Sequence, residues 1–420
     1  MSSRPRALGP LVALFTAGYL APYLLPTVVG RLSAGLGLTP AQAGLVGSVL
    51  LLASASAGFT LAARVERLGP RRAARIGLGA MCLGYGSAAL TASVPLVVGG
   101  AVVGGFGSGT ALAVAAAGIA AQRDPHRAST LGLLTVSATA GALYLTLPHL
   151  GGGHELPFAS IALAAAVVWP LTGGLAGGAG RRTAERQPRP ERPETSLSSL
   201  PHRRSGLVLA VAILCWSMAQ NALWGVSGRI GLTQAGLSEV TVGAVFAVAL
   251  GAGLTGVTAA GALGSRLGRA APIGAGTAII AVCVLVTSGA ESLPAFATGE
   301  VLWNVFYPVV LSYLLGLAAS LDPRGRWAVL VGSASSLGVA CGPVTGSVLS
   351  EQAGYPGMGL ILCALLLLAA APMTAVALHT SGRTLVPGSI RRRGAPTAAV
   401  TEIPIPVPAE RSGLDLSTTA

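Results

Sequence analysis

Along this chain, apolar stretches of about twenty residues alternate with short polar breaks, and the pattern repeats from end to end. A helix needs roughly 20 predominantly apolar residues to cross the hydrocarbon of a bilayer. Twelve stretches meet that length: Leu8–Val29, Ala43–Leu61, Ile76–Val94, Leu96–Ala121, Ser129–Leu147, Pro157–Gly178, Gly206–Gly228, Thr241–Leu263, Ala271–Ala290, Ala295–Ala319, Trp327–Leu349 and Gly357–Leu378. The third and fourth spans nearly touch, as do the ninth and tenth, so tight turns are expected there. The pattern predicts an all-α membrane protein of twelve transmembrane helices.

Composition agrees. Of 420 residues, 52% are hydrophobic and 10% charged, against about 25% charged in soluble domains. That is too little charge to cover a water-facing surface, which excludes soluble, disordered and fibrous classes. The 59 glycines show no Gly-X-Y period and point to close contact between membrane helices. Cys82, Cys215, Cys283, Cys341 and Cys363 all lie in apolar stretches without CxxC spacing, so they read as packing residues and not as a disulfide framework or metal site.

The charges order the spans. All 27 basic residues are arginine. With the amino terminus in the cytoplasm, 25 fall in cytoplasmic segments and only Arg31 and Arg229 fall outside, as the positive-inside rule requires. Both termini are then cytoplasmic. The arginines are spread along the chain and form no single patch, so nucleic acid is not an expected partner. The first apolar stretch exceeds the 7–15 residues of a signal-peptide core and is read as retained. Ala179–Ser205 is polar and rich in Pro and charge, and reads as a flexible linker. The domains expected are thus a six-helix bundle over 1–178, a linker over 179–205, a second bundle over 206–380 and a disordered cytoplasmic tail over 381–420. Arg391–Arg393 in that tail read as a solvated stop, with contact to anionic head groups as the alternative.

The two halves repeat. Gly37-Leu38-Thr39 with Gly44 matches Gly236-Leu237-Ser238 with Gly243, 199 residues on. Arg67-Leu68-Gly69 matches Arg266-Leu267-Gly268 at the same offset, and Asp124-Pro125 with Arg127 returns as Asp322-Pro323 with Arg326. Such a repeat predicts two six-helix bundles related by an axis along the membrane normal, with a pathway between them.

At this point the sequence resembles the major facilitator superfamily, across essentially all twelve spans. The family's hallmark loop after the second helix reads roughly Gly-x-x-x-Asp-Arg-x-Gly-Arg-Arg. Here the segment runs Ala62-Ala63-Arg64-Val65-Glu66-Arg67-Leu68-Gly69-Pro70-Arg71-Arg72, and its second copy runs Gly261-Ala262-Leu263-Gly264-Ser265-Arg266-Leu267-Gly268-Arg269. The resemblance implies a conformational latch formed by Glu66, Arg67, Gly69, Arg71, Arg266, Gly268 and Arg269, and Ser265 in place of an acid weakens the second copy. The alternative is that these arginines only mark the cytoplasmic side. There are departures from the family pattern. The glycine run Gly99–Gly109 lacks the arginine of many proton-coupled members, and an exporter-type Gly-Pro occurs in the eleventh span, at Gly342-Pro343, instead of the fifth. Sugar-porter signatures are not visible.

Ionisable residues at membrane depth are functional suspects by default. Of 14 acidic residues only Glu300 falls inside a span, with Asn304 and Tyr307 on its helical face. The resemblance implies that helices one, four, seven and ten line a central cavity. The first offers Tyr19 and Tyr23, and the seventh Trp216, Gln220, Asn221 and Trp224. Aromatic walls with amides and one carboxylate suit an amphipathic or aromatic small molecule, a cationic one included. Helix packing is the competing reading of the aromatic face, and snorkelling or a bond to Asn304 that of Glu300. Gly251–Gly256 fits GxGxxG but follows no strand, and Gly243, Ala247, Gly251 and Thr255 read as a small-residue packing stripe. There is no lysine and hence no phosphate-binding Walker A loop, so ATP is not the expected energy source. No HExxH or GxSxG motif and no paired intramembrane carboxylates suggest an enzyme.

The expectation is a monomeric, multi-pass secondary transporter of the cell membrane that works by alternating access, couples to protons through Glu300 and exports a small organic molecule. It needs no cofactor, no metal and no catalytic residue. A nutrient importer is the alternative, and a non-transporting receptor or scaffold a more remote one.

Overall fold

The computed structural model describes residues 8–175, 200–264, 267–322 and 324–381, with the side chains of Phe59, 61–67 and Ser381 left aside. Leu8–Tyr23 (α1) and Leu25–Leu36 (α2) are followed by Pro40–Leu68 (α3), Pro70–Ala89 (α4), Val94–Ala120 (α5) and Pro125–Leu150 (α6). Glu155–Val168 (α7) runs into a 3-10 turn at Pro170–Gly174, and Arg203–Arg229 (α8) into a π-helical turn at Ile230–Gln234. Glu239–Leu263 (α9), Ala270–Ser288 (α10), Leu293–Ser320 (α11) and Arg326–Ser381 (α12) complete the order. The described residues are helical throughout apart from their connections.

Twelve crossings emerge from these helices. Nine are each long and apolar enough to span a bilayer, and α1 with α2 forms a tenth span bent by 47°. Gly354, at φ 69°, breaks α12 into two arms, 326–353 and 355–381. The twelfth is α4, 20 residues long, whose first two turns carry Arg71, Arg72 and Arg75. The first span therefore departs from the straight Leu8–Val29 helix expected: it breaks at Leu24 and runs on to Leu36. The break has a local cause. Pro26 has no amide hydrogen to give the Pro22 carbonyl four residues earlier, so the helical ladder cannot continue.

The sequence repeat returns as backbone geometry. Gly37 and Gly236 end corresponding spans at φ 63° and 62°, and Gly69 and Gly268 turn corresponding loops at φ 80° and 69°. These left-handed conformations are cheap only for glycine. The caps agree as well: Asp124 accepts from the Arg127 amide at 2.9 Å, and Asp322 from the Arg324 and Arg326 amides at 3.1 and 3.3 Å.

Within the first half α5 packs on α1, α3 and α4, and within the second α12 packs on α8 and α10 and α11 on α9 and α10. Close approach depends on glycine: a Cβ on Gly84 would sit 2.6 Å from the Gly100 carbonyl oxygen. The small-residue stripe of α9 does this only in part. Gly243 lies against the Tyr144 carbonyl and Ala247 against Gly141 of α6, whereas Gly251 faces open space.

The halves meet through α3 on α12, α6 on α9 and α2 on α8. In each of the first two pairs, corresponding spans exchange roles, as pseudo-twofold symmetry requires. Among the described residues, every hydrogen bond and ion pair that crosses between the halves lies toward the arginine-poor end, which carries Gly37, Gly151, Gly236 and Gly354. That end is closed.

Candidate functional site

The face that α8 turns to α11 carries Trp216, Gln220, Trp224 and Ser227, at helical spacing. Opposite them α11 places Glu300, Trp303 and Tyr307. Glu300 is fully buried. Its Oε1 accepts a hydrogen bond from Ser227 Oγ at 2.7 Å, and Oε2 has no side-chain partner among the described residues. Among the described residues no cation pairs with it; the ion pairs there are Arg31–Glu239, His154–Glu155 and Arg326–Asp322. A carboxyl group in that setting has one neutral donor to offset its desolvation.

Around Glu300 the rings form a continuous set. Trp303 Nε1 donates to Gln220 Oε1 at 2.8 Å, and the Trp303 ring lies 5.6 Å from Trp224 and 5.7 Å from Tyr307. Trp216 stacks on Tyr307 at 5.3 Å with the planes 10° apart. Trp224 meets Phe246 of α9 edge-on at 5.2 Å, and Phe246 meets Phe296 at 6.1 Å. Aromatic pairs of this kind add about 0.5–1.5 kcal/mol each beyond the area they bury.

The expected lining residues fall into two groups. Tyr19, Tyr23, Asn221, Asn304 and Tyr307 are half-buried, while Trp216, Gln220 and Trp224 are buried with Glu300. Tyr19 and Tyr23 come together edge-on at 6.3 Å on α1. The Asn304 amide donates to the backbone carbonyl of Glu300 at 3.0 Å, so it does not hold the carboxylate. Trp224 reaches across the halves: its Nε1 donates to the Pro22 carbonyl at 3.0 Å. The neighbouring Tyr23 carbonyl accepts from Tyr144 of α6 at 2.6 Å. The two carbonyls at the break in the first span are thus both taken by side chains. Sequence reasoning missed Ser227 and Trp303, although each lies three residues from a residue it singled out, on the same helical face. It also missed Phe246 and Tyr144, which carry no polar periodicity to mark them.

At the arginine-poor end, Arg31 is buried. Its guanidinium donates to the carbonyls of Gly151 at 2.8 Å and Leu147 at 3.1 Å, and to Glu239 Oε2 at 3.1 Å. Arg229, 198 residues on in sequence, donates to Ser350 at 3.2 Å, and Glu351 beside it accepts from the Ala41 amide at 3.2 Å. The two arginines that the positive-inside count left over thus hold pseudo-symmetric positions at this closure. Beside Arg31 lies a pocket of about 80 Å³ whose lining includes Thr27, Arg31, Tyr144, Glu239, Val242 and Phe246.

The expected latch lies at the opposite end. Gly69 and Gly268 make its turns, and Arg269 donates to Ser320 at the end of α11, at 2.7 Å. Arg71 lies beside Gly173 of the 3-10 turn, and Arg75 donates to Thr172 there at 3.2 Å. The side chains of Glu66 and Arg67, and Arg266, lie outside the described residues. The described residues contain no cluster of three His, Cys, Asp or Glu able to hold a metal.

Known proteins bear on this arrangement in three ways. The model of the Major Facilitator Superfamily matches residues 7–325. Among curated proteins, no sequence matches. Solved structures do: the human organic anion transporter MFSD10 (TETRAN) is 20% identical, with a TM-score of 0.58 over 88% of this chain and 100% of that one. A bacterial homologue of the human lysosomal transporter Spinster, inward-facing and unoccupied, is 16% identical, with a TM-score of 0.63 over 90% of this chain and 96% of that one. These two likenesses are of fold. With twelve crossings in two repeated halves and a family match over three quarters of its length, the chain belongs to the major facilitator superfamily and is a multi-pass membrane transporter.

Proposed function

We propose that the protein is a proton-coupled secondary transporter of the plasma membrane that exports a small, aromatic or amphipathic organic molecule by alternating access. The observation that carries this reading is Glu300: a fully buried carboxyl group in the second bundle, with a serine as its hydrogen-bonding partner and, among the described residues, no cation paired with it. A group so placed is costly to keep charged and exchanges a proton far more readily than any other ion. The half-buried Tyr19, Tyr23, Asn221, Asn304 and Tyr307 are the surface that would meet the substrate, backed by Trp216 and Gln220. The arginine distribution supports an orientation with the arginine-rich end in the cytoplasm. In that orientation the closed end faces outward and the state described is inward-facing. The linker and tail are then cytoplasmic, and the Gly69 and Gly268 loops act as the inner latch, with Arg71 beside the 3-10 turn and Arg269 bonded to the end of α11.

The test is flux in proteoliposomes under an imposed pH gradient, for the wild type and Glu300→Gln, with organic cations and amphipathic aromatics as substrates. Gradient-driven flux in the wild type that is lost in Glu300→Gln is the expected result. Equal gradient-driven flux in both would remove Glu300 from the coupling.

A further inference from the structure

We propose that Trp224 is the positioning residue that links the protonation state of Glu300 to closure of the arginine-poor end. The inference rests on the reading of Glu300 as the proton site and adds how that site is sensed by the opposite half.

The chain of contacts is short. Glu300 is held by Ser227 Oγ at 2.7 Å, and the same hydroxyl lies 3.0 Å from the Leu223 carbonyl oxygen. A serine hydroxyl has one proton to give. While Glu300 is ionised, that proton belongs to the carboxylate, the stronger acceptor. When Glu300 takes up a proton, its own O–H can donate to Ser227 Oγ, and the serine proton turns to Leu223. No atom moves far, but the bond that ties α11 to α8 changes from charge-assisted to neutral and reverses direction.

Trp224 sits on that same turn of α8, between Leu223 and Ser227, and its ring leans on Trp303, three residues from Glu300 on α11. Trp303 is itself fastened to α8 by its bond to Gln220. A shift of α11 against α8 at Glu300 therefore moves the surface on which the Trp224 indole rests. The far edge of that indole holds the Pro22 carbonyl of the other half. That carbonyl is available because Pro26 cannot donate to it, and the break places it where the 47° bend lets α2 lean on α8. Gly228, one turn beyond Trp224, brings the α8 backbone against Pro26: a Cβ there would lie 3.2 Å from the Pro26 carbonyl oxygen. One indole thus joins the proton site to the hinge of the first span. The titratable side chains that face Glu300 from other elements are Tyr144 of α6 and Cys283 of α10.

The experiment uses the full-length protein in lipid nanodiscs with a reporter, Val242→Cys, in the wall of the pocket at the arginine-poor end. Its rate of modification by a membrane-impermeant maleimide is measured at pH 5.5 and 8.5, with the protein lacking the reporter as background, and each rate is divided by that of the same reagent with a free model thiol at the same pH, because the thiolate fraction itself rises with pH. The wild type should give normalised rates that differ at least threefold between the two pH values. Trp224→Phe keeps the ring and loses the N–H, one neutral hydrogen bond across the halves. It should raise the rate about fivefold and bring the ratio between the two pH values to one. Ser227→Ala should collapse the ratio as well. A Trp224→Phe protein that keeps the wild-type ratio while Glu300→Gln abolishes it overturns the role of Trp224 and leaves Glu300 as the proton site. A wild-type ratio of one, unchanged in Glu300→Gln, overturns both.

Discussion

Replacing Glu239 by glutamine isolates the part of the closure that belongs to one conformational state. Arg31 makes three good bonds, but only the one to Glu239 crosses between halves; the carbonyls of Leu147 and Gly151 lie in its own bundle and stay with it in any state. Glutamine still accepts from the guanidinium, so the substitution removes charge and little else. The Arg31 side chain is 8% exposed and that of Glu239 51%. A pair open to water on one side is worth about 0.2–1 kcal/mol. The lost interaction of Glu239 with the amino-terminal end of α9 is present in both states and cancels. The equilibrium between closed and open arginine-poor ends should therefore shift by at most about fivefold, taking 1 kcal/mol as the upper value. Modification of the Val242→Cys reporter should rise by that factor, and the difference from wild type should shrink in high salt. Arg31→Ala is a different perturbation. It strips two charge-assisted bonds, one to the buried Leu147 carbonyl and one to the carbonyl of exposed Gly151, the buried one worth about 1.5–3 kcal/mol, and should lower thermal stability where Glu239→Gln barely does. A fiftyfold rise in labelling for Glu239→Gln, or equal losses of stability for the two variants, would refute the division into a gate bond and two structural bonds.

Two further outcomes follow from the packing and from the caps. Gly84→Ala should lower the melting temperature in detergent sharply, because its Cβ meets the backbone of α5, a rigid obstacle costing about 1–3 kcal/mol or more; Gly251→Ala meets open space and should be neutral or slightly stabilising. Asp322 is held below the usual carboxylate range, first by its bond to the Arg326 guanidinium at 2.7 Å and then by the loop amides. A depressed carboxylate stabilises the fold above its unfolded value, about 3.9, and loses that contribution as pH falls through the lower folded value. The melting temperatures of wild type and Asp322→Asn should differ by a constant amount from pH 7 to 5 and converge only below about pH 4.

The number of crossings, the two repeated halves and the family were all legible in the sequence, because each rests on a local quantity. A span is a length of apolar chain, orientation is a distribution of arginines, and a positive-φ turn is a glycine that can be seen to recur 199 residues on, as Gly37 and Gly236 do. Glu300 was legible for the same reason: it is the acid in an apolar span. What it touches was not. The residue spacing pointed to Asn304, one turn away, yet the carboxyl group is held by Ser227 from another helix 73 positions distant in sequence. Only helix-against-helix register decides such a pairing, and register is set by which small residues let two backbones approach. The same holds for the closure. Arg31 and Arg229 stood out in the sequence only as exceptions to a charge rule, and nothing local placed Glu239 beside the first or Ser350 beside the second. Trp224 reads as one more aromatic on a cavity-facing helix. That its N–H serves the Pro22 carbonyl follows from a proline break in one half and the packing of the other against it, a relation between two segments that no single stretch of sequence contains.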